Sequence, residues 1–213
     1  ICSGLVGSEM CIRDSPRRKE ILSKFNIDIK FVSHRFNERE IDKNIEPHSY
    51  CKIIANEKAN SIVDIYPNRP ILSADTIVLS PNKRIFEKPR NEDDAYRMLR
   101  ELSGEKHQVL TGVSLIHKKA KINFCFTETT LVEFNDLRDE EIYYYIKHFE
   151  PYDKSGSYGI QGFSSIFVKS INGCFFNVVG LPVSRLFYYL KKFDLIQFSW
   201  ILPIIIITYR YNE

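Results

Sequence analysis

Between Ser15 and Leu195 the apolar positions switch repeatedly between helical spacing, at three and four residues, and the two-residue spacing of a strand. Pro16 suits the first turn of a helix with Ser15 as its N-cap, and Ile21, Leu22 and Phe25 form a short apolar stripe. Residues 27–32 (IDIKFV) alternate as a strand does. Pro47 opens a longer helix to about residue 64, with Tyr50, Ile53, Ile54, Ile62 and Val63 on one face. The near-continuous apolar run 70–79 (PILSADTIVL) predicts a buried strand, and residues 84–87 can pair back on it across the Pro81-Asn82 turn. Asn91 caps a helix whose first turn holds Glu92, Asp93 and Asp94, which complement its dipole, and Gly104 ends it. Two long strands follow at about 107–117 and 121–134, then a tyrosine-rich helix at about 139–148. Strands at about 165–171 and 174–179 and a final helix from Pro182 complete the body. Helices and strands alternate without an internal repeat, which predicts an α/β chain with mixed strand pairing.

The two ends break this pattern. Residues 1–14 (ICSGLVGSEMCIRD) have no strand alternation, no helical stripe and no basic stretch before a long apolar core. They do not read as a secretory signal and are expected to be a non-native leader. Residues 195–209 (LIQFSWILPIIIITY) are strongly apolar, but with Pro203 inside they fall short of the roughly 20 apolar residues of a spanning helix. A buried terminal strand and a non-native tail are the two main readings, with a membrane anchor the weaker third. The expected division is therefore a leader over 1–14, one domain over 15–195 and an atypical apolar tail over 196–213.

Composition narrows the function classes. With 213 residues, 44% of them hydrophobic and 27% charged, the chain can bury a real core and is not wholesale disordered. Thirty basic against 27 acidic residues leave a formal charge of +3, too mild for a nucleic-acid binder. The five cysteines are odd in number, scattered and never spaced C-x-x-C, so neither a zinc set nor a disulfide framework is indicated and a reducing, cytoplasmic home is expected.

Four features stand out from this background. Arg17 and Arg18 sit on the opening turn of a helix, where free N–H groups already favour an anion and guanidinium adds bidentate reach to phosphate; a solvated basic turn is the plainer account. Asp75 is a carboxylate midway along an apolar strand, so it must be paired, bound to metal or facing a wet cleft. Lys58 lies at four-residue spacing from Ile54 and Ile62, on the apolar face of its helix, and either snorkels or meets phosphate; Lys88 is equally open. The loop 156–162 (GSYGIQG) has three glycines for close backbone approach, and Gln161 offers both a donor and an acceptor. Glu38 follows the 27–32 strand. There is no Walker loop, Ser-His-Asp set or His/Cys cluster. Asp75 and Glu38 among several cations suggest oxygen-ligated Mg²⁺ or Mn²⁺ serving a polyphosphate, rather than zinc.

These pieces, in order, resemble the Maf family of nucleoside triphosphate pyrophosphatases: SPRRKEIL (15–22), Glu38, ANEKA (55–59), ADTIV (74–78), EKPRN (87–91), LSGEKHQVLTGV (102–113), TETTLVEF (127–134), DKSGSYGIQG (153–162) and NGCFFNVVGLP (172–182). The resemblance spans about residues 15–195. It implies an α/β fold of the Maf/ITPase-like kind, a curved mixed β-sheet flanked by helices with two lobes around a nucleotide cleft. It also implies hydrolysis of nucleoside triphosphates to monophosphate and pyrophosphate with a divalent metal cation. Carried over by motif, Asp75 is the proton acceptor, Glu38 and Asp75 the metal-associated acids, and Ser15, Arg18, Lys58 and Lys88 the phosphate-facing residues. Arg17, Thr76 and Gln161 fall on the positions that set specificity and resemble the branch acting on dTTP and UTP. An amide there satisfies the O4 acceptor and the N3–H donor of uracil or thymine, whereas a carboxylate repels O4.

The implied partners are the nucleotide substrate and, at most, a second copy in a homodimer, with neither nucleic acid nor membrane. One departure stands against turnover: Arg13 and Asp14 occupy positions where the family has small residues just before the SPRR motif. A nucleotide-binding protein without catalysis is the rival expectation.

Overall fold

The computed structural model describes residues 16–25, 29–42, 44–197, 200–201 and 204–208. Ser15, the expected leader and residues 26–28 lie outside them. Helix α1 (Pro16–Ser23) starts at the proline, as expected, and strand β1 (Ile29–Ser33) follows. Helix α2 (Pro47–Val63) is capped by Glu46, whose carboxylate accepts from the His48 and Ser49 amides at 3.0 and 2.9 Å. The buried run is strand β2 (Ile71–Leu79), and β3 (Ile85–Phe86) pairs back on its end. Helix α3 (Glu92–Leu102) has Asn91 as N-cap, with Oδ1 accepting from the Asp94 amide at 2.9 Å. The long strands are β4 (Lys106–His117) and β5 (Ile122–Phe134), followed by α4 (Asp139–Phe149) and β6 (Val168–Asn172).

One expected strand is absent. Residues 174–179 form instead a short helix, α5 (Phe175–Val179), before α6 (Val183–Lys192). The β-branched and aromatic residues there suggest a strand, but tertiary bonding decides otherwise. Asn177 is fully buried and donates through Nδ2 to Val109 O at 2.9 Å and Thr130 Oγ1 at 3.0 Å. Gly180 closes the turn at φ 122°, a region L side chains rarely enter.

Beyond α6 come β7 (Ile196–Gln197), β8 (Trp200–Ile201) and β9 (Ile204–Thr208). Of the apolar tail, β9 is a strand of the main sheet, parallel to both β1 and β2. The main sheet runs β1-β9-β2-β4-β5-β6, with the β2–β4, β4–β5 and β5–β6 pairs antiparallel. The architecture is thus α/β, a mixed sheet with helices against it. Among the described residues no helix is long and apolar enough to cross a membrane.

The alternation of β2 assigns its two faces. Ile71 and Ile77, with Leu110 and Ile116 of β4, pack under α2 against Tyr50, Ile54, Ala59 and Ile62. Leu72 and Ala74, with Val113 and Leu115, pack on the other face against Ile21, Leu22, Leu181 and Leu186. Helix α2 approaches closely because β4 has Gly112 opposite Asp75; a Cβ there would overlap the Cys51 carbonyl. That approach positions the rest of the site.

Candidate active site

The partners of β2 on one side change along its length. β9 covers Ile71–Ser73 and β3 covers Val78 and Leu79, so among the described residues Ala74–Ile77 have no strand partner there. Asp75 and Thr76 sit in that gap and point to opposite faces of the sheet.

On the α2 face, Asp75 meets Lys58. The ammonium is 2.7 Å from Asp75 Oδ1 and 3.0 Å from Glu38 Oε1, while the lysine as a whole is 4% exposed. It does not snorkel; it bridges two carboxylates. Burial is the largest influence on Lys58 and disfavours the ammonium, but Asp75 and then Glu38 outweigh it and raise the pKa above the ordinary value. Burial raises that of Glu38, and the Asp75 charge adds to it against the pull of Lys58 and Lys88. Glu38 follows the strand expected at 27–32, and the structure puts it in a single 3₁₀ turn, residues 38–40, that reaches the cluster. His34 Nε2 lies 3.6 Å from Glu38 Oε1, and burial followed by the Lys58 charge lowers the His34 pKa to about 4. Here the expectation that Lys58 faces phosphate meets a different resting partner: its charge is committed to the acids.

On the opposite face, Thr76 Oγ1 and Thr111 Oγ1 are 2.9 Å apart, as their register across β2 and β4 requires. Arg18 donates through Nη2 to Thr76 Oγ1 at 3.0 Å and through Nε to Gly180 O at 2.8 Å. Burial lowers the Arg18 pKa and the nearby Asp75 opposes this, so the two faces sense each other through the gap. Thr111 Oγ1 donates to Asn177 O at 3.3 Å, tying α5 into the same lattice.

The glycine-rich loop closes the gap. Ser155 Oγ donates to Thr76 O at 2.9 Å, and the Gly156 amide donates to Glu87 O at 3.1 Å. Arg17 donates through Nη2 to Asp153 O at 3.1 Å and pairs with Asp153 Oδ2 at 3.2 Å. Gln161 is exposed on this loop. Lys88 follows β3 and acts electrostatically on Glu38. The structure therefore gathers Glu38, Lys58, Asp75, Thr76 and Arg18 around one break in the sheet, with Arg17 and Gln161 on its loop side. Ser15 lies outside the described residues.

Sequence reasoning passed over Asn177, Thr111, Gly180 and Asp153, and Tyr50, whose hydroxyl donates to Glu87 Oε1 at 2.9 Å. Asn177 had a usable signal, since it is the single amide in the apolar run 175–179.

Known proteins resemble this chain over most of its length. The family described as Maf-like protein matches residues 14–193. A dTTP/UTP pyrophosphatase of Geobacillus sp. (strain WCH70) is 43% identical over 171 residues, which cover 80% of this chain and 90% of that protein. Those of Bacillus mycoides (strain KBAB4) and Carboxydothermus hydrogenoformans (strain ATCC BAA-161 / DSM 6008 / Z-2901) are 44% and 42% identical, each over 84% of this chain and over 92% and 94% of their own lengths. With a family match through the whole region that builds the site, this chain belongs to the Maf family.

Proposed function

We propose that this protein hydrolyses dTTP and UTP to the monophosphate and pyrophosphate. The observation that carries the reading is the cluster of Asp75, Lys58 and Glu38 facing Arg18 across an uncovered stretch of β2, in a chain whose relatives are named dTTP/UTP pyrophosphatases. In this reading Asp75 takes a proton from the water that attacks the α-phosphorus. The oxygen bridging the α- and β-phosphates leaves with the electron pair as pyrophosphate. Lys58 passes its contact from Asp75 to a phosphate oxygen as substrate enters, which frees the carboxylate to accept the proton. Arg18, held by Thr76 and Gly180, and Lys88 stabilise the charge that develops on the phosphates.

Glu38 and Asp75 suit a hard divalent cation, since both present carboxylate oxygens to one positive charge. Among the described residues no three His, Cys, Asp or Glu side chains gather as a ligand set, so these two acids would share the ion with substrate oxygens, the usual manner of Mg²⁺ at phosphates. When bound, the ion supplies charge neutralisation at the phosphates. Gln161 reads the base, its amide matching O4 and N3–H of uracil or thymine. Residues 15–195 form the catalytic domain in this account, with β9 added to its sheet, and a cytoplasmic setting agrees with the free thiols of Cys51, Cys125 and Cys174.

A panel of nucleoside triphosphates assayed for pyrophosphate release with Mg²⁺ or Mn²⁺ tests this. Release is expected to be fastest from UTP and dTTP. Tight nucleotide binding without release would favour the non-catalytic reading, and equal rates for purines would remove Gln161 from base recognition.

A further inference from the structure

We propose that His107 and Tyr158 form a buried positioning pair that sets the 153–162 loop so that Gln161 meets the base, an inference that rests on the reading of Gln161 given above. Tyr158 lies in that loop, three residues before Gln161, and His107 lies on β4. His107 is 1% exposed and Tyr158 5%, and His107 Nε2 is 2.8 Å from Tyr158 Oη. Around them the surroundings are apolar: Phe134 meets His107 edge-on at 4.9 Å and Tyr158 at 4.8 Å, and Val78, Leu99, Val109 and Phe167 belong to the same core cluster. His107 Nδ1 has no hydrogen-bond partner among the described residues. Burial lowers the His107 pKa to about 3, so the ring is neutral at working pH.

Two apolar rings would fill this space without stranding a polar atom. The hydrogen bond adds direction: it fixes how far and at what angle the tyrosine enters the core, which packing alone leaves free. The loop needs that constraint. Upstream of Tyr158, Gly156 and Ser157 both have positive φ, 70° and 64°, and residues 155–157 are tied to β2, to Glu87 just after β3 and to α3 through Ser155–Thr76, Gly156–Glu87 and Ser157–Met98 bonds. Downstream, the segment closes on itself, with Ser164 Oγ 3.0 Å from both the amide and the carbonyl of Gly159 and the Gly162 amide on Gly159 O. Tyr158 joins the two halves. Ile160 adds an apolar anchor on the neighbouring cluster, and the tyrosine hydroxyl supplies the directional one. Because Arg17 is tied to Asp153 at the start of the same loop, a tilt about Tyr158 shifts Gln161 relative to the arginine side of the gap. Neither residue touches substrate in this account; both act through Gln161.

Steady-state pyrophosphate release from UTP and GTP, by wild type, Tyr158→Phe, His107→Gln, His107→Leu and Gln161→Glu, tests the pair. Tyr158→Phe keeps the ring contacts and removes only the hydroxyl. It is expected to lower the UTP-to-GTP ratio of kcat/KM by about 10-fold, mainly through KM for UTP, the scale of one lost base-reading contact. His107→Leu should do the same, and His107→Gln, whose amide can reach the hydroxyl, should restore the wild-type ratio. A purely structural pair would lower the rates with both nucleotides together and leave the ratio unmoved, which overturns the inference. If Gln161→Glu changes the ratio and Tyr158→Phe does not, the pair is not a positioning device although Gln161 still reads the base. If neither changes it, both readings fall. Should His107→Leu fail to fold, Tyr158→Phe alone decides.

Discussion

The two faces of β2 at Asp75 and Thr76 are one residue apart and are built on opposite principles. The α2 face is ionic: two carboxylates share one buried ammonium. The α1 face is a neutral lattice around one guanidinium, in which Thr76, Thr111, Asn177 and Thr130 bond in sequence. A buried ionic cluster gains much from its partners and loses much when one is withdrawn, so an arriving polyphosphate can reorganise it. A lattice of neutral groups bonded mainly to one another has little to exchange and serves as a fixed frame for Arg18. The alternation of a single strand thus separates an ionic cluster from a neutral frame that holds Arg18.

The sharpest way to break the contrast is Lys58→Met. Removing the buried ammonium leaves Glu38 and Asp75 as partly buried like charges, and stability at neutral pH should fall by about 2–4 kcal/mol, below the full figure for a fully buried pair, read from urea midpoints. A loss below about 1 kcal/mol would mean that the acids are already solvated and the face is not ionic in the sense argued here. On the neutral face, Asn177→Ala strips the donor from Val109 O and Thr130 Oγ1 and should cost about 1–3 kcal/mol. Its effect on kcat should be small beside that of Lys58→Met, because Arg18 keeps Thr76 and Gly180.

The smallest effect near neutral pH concerns protonation and lies at His107, away from the gap at Asp75 and Thr76. His107 has a folded pKa of about 3 against an ordinary 6.5. Between those values the unfolded chain binds the extra proton, so stability is lost as pH falls through the window, by on the order of 1 kcal/mol per pH unit. Denaturation midpoints at pH 7.5, 5.5 and 4.5 should show His107→Gln falling less steeply than wild type. Equal slopes would mean that the ring is not held neutral.

The legibility of these regions in the sequence follows from the same physics. Asp75 was readable because a lone charge in an apolar strand demands a partner, and the first-turn prolines Pro16 and Pro47 and the cap Asn91 placed the starts of three helices correctly. Asn177 poses a milder form of the same demand, but an uncharged amide in five apolar residues reads as an ordinary strand position, so both α5 and the neutral lattice were missed. Lys58 was on the right face of its helix, yet its partners come from β2 and the 38–40 turn, and periodicity does not report which distant acids a helix face will meet. The insertion of β9 between β1 and β2 is likewise a long-range parallel pairing with no local signature.

The central claim is that the ionic face performs the chemistry through Asp75. Asp75→Asn preserves the shape of the side chain, leaves Lys58 paired with Glu38 and removes the proton acceptor. Turnover of UTP, measured as pyrophosphate release at saturating nucleotide and divalent metal, should fall by at least about 100-fold, the lower range for loss of a general base. Circular dichroism and the affinity for UTP should stay close to wild type. Wild-type turnover in this variant would contradict the account.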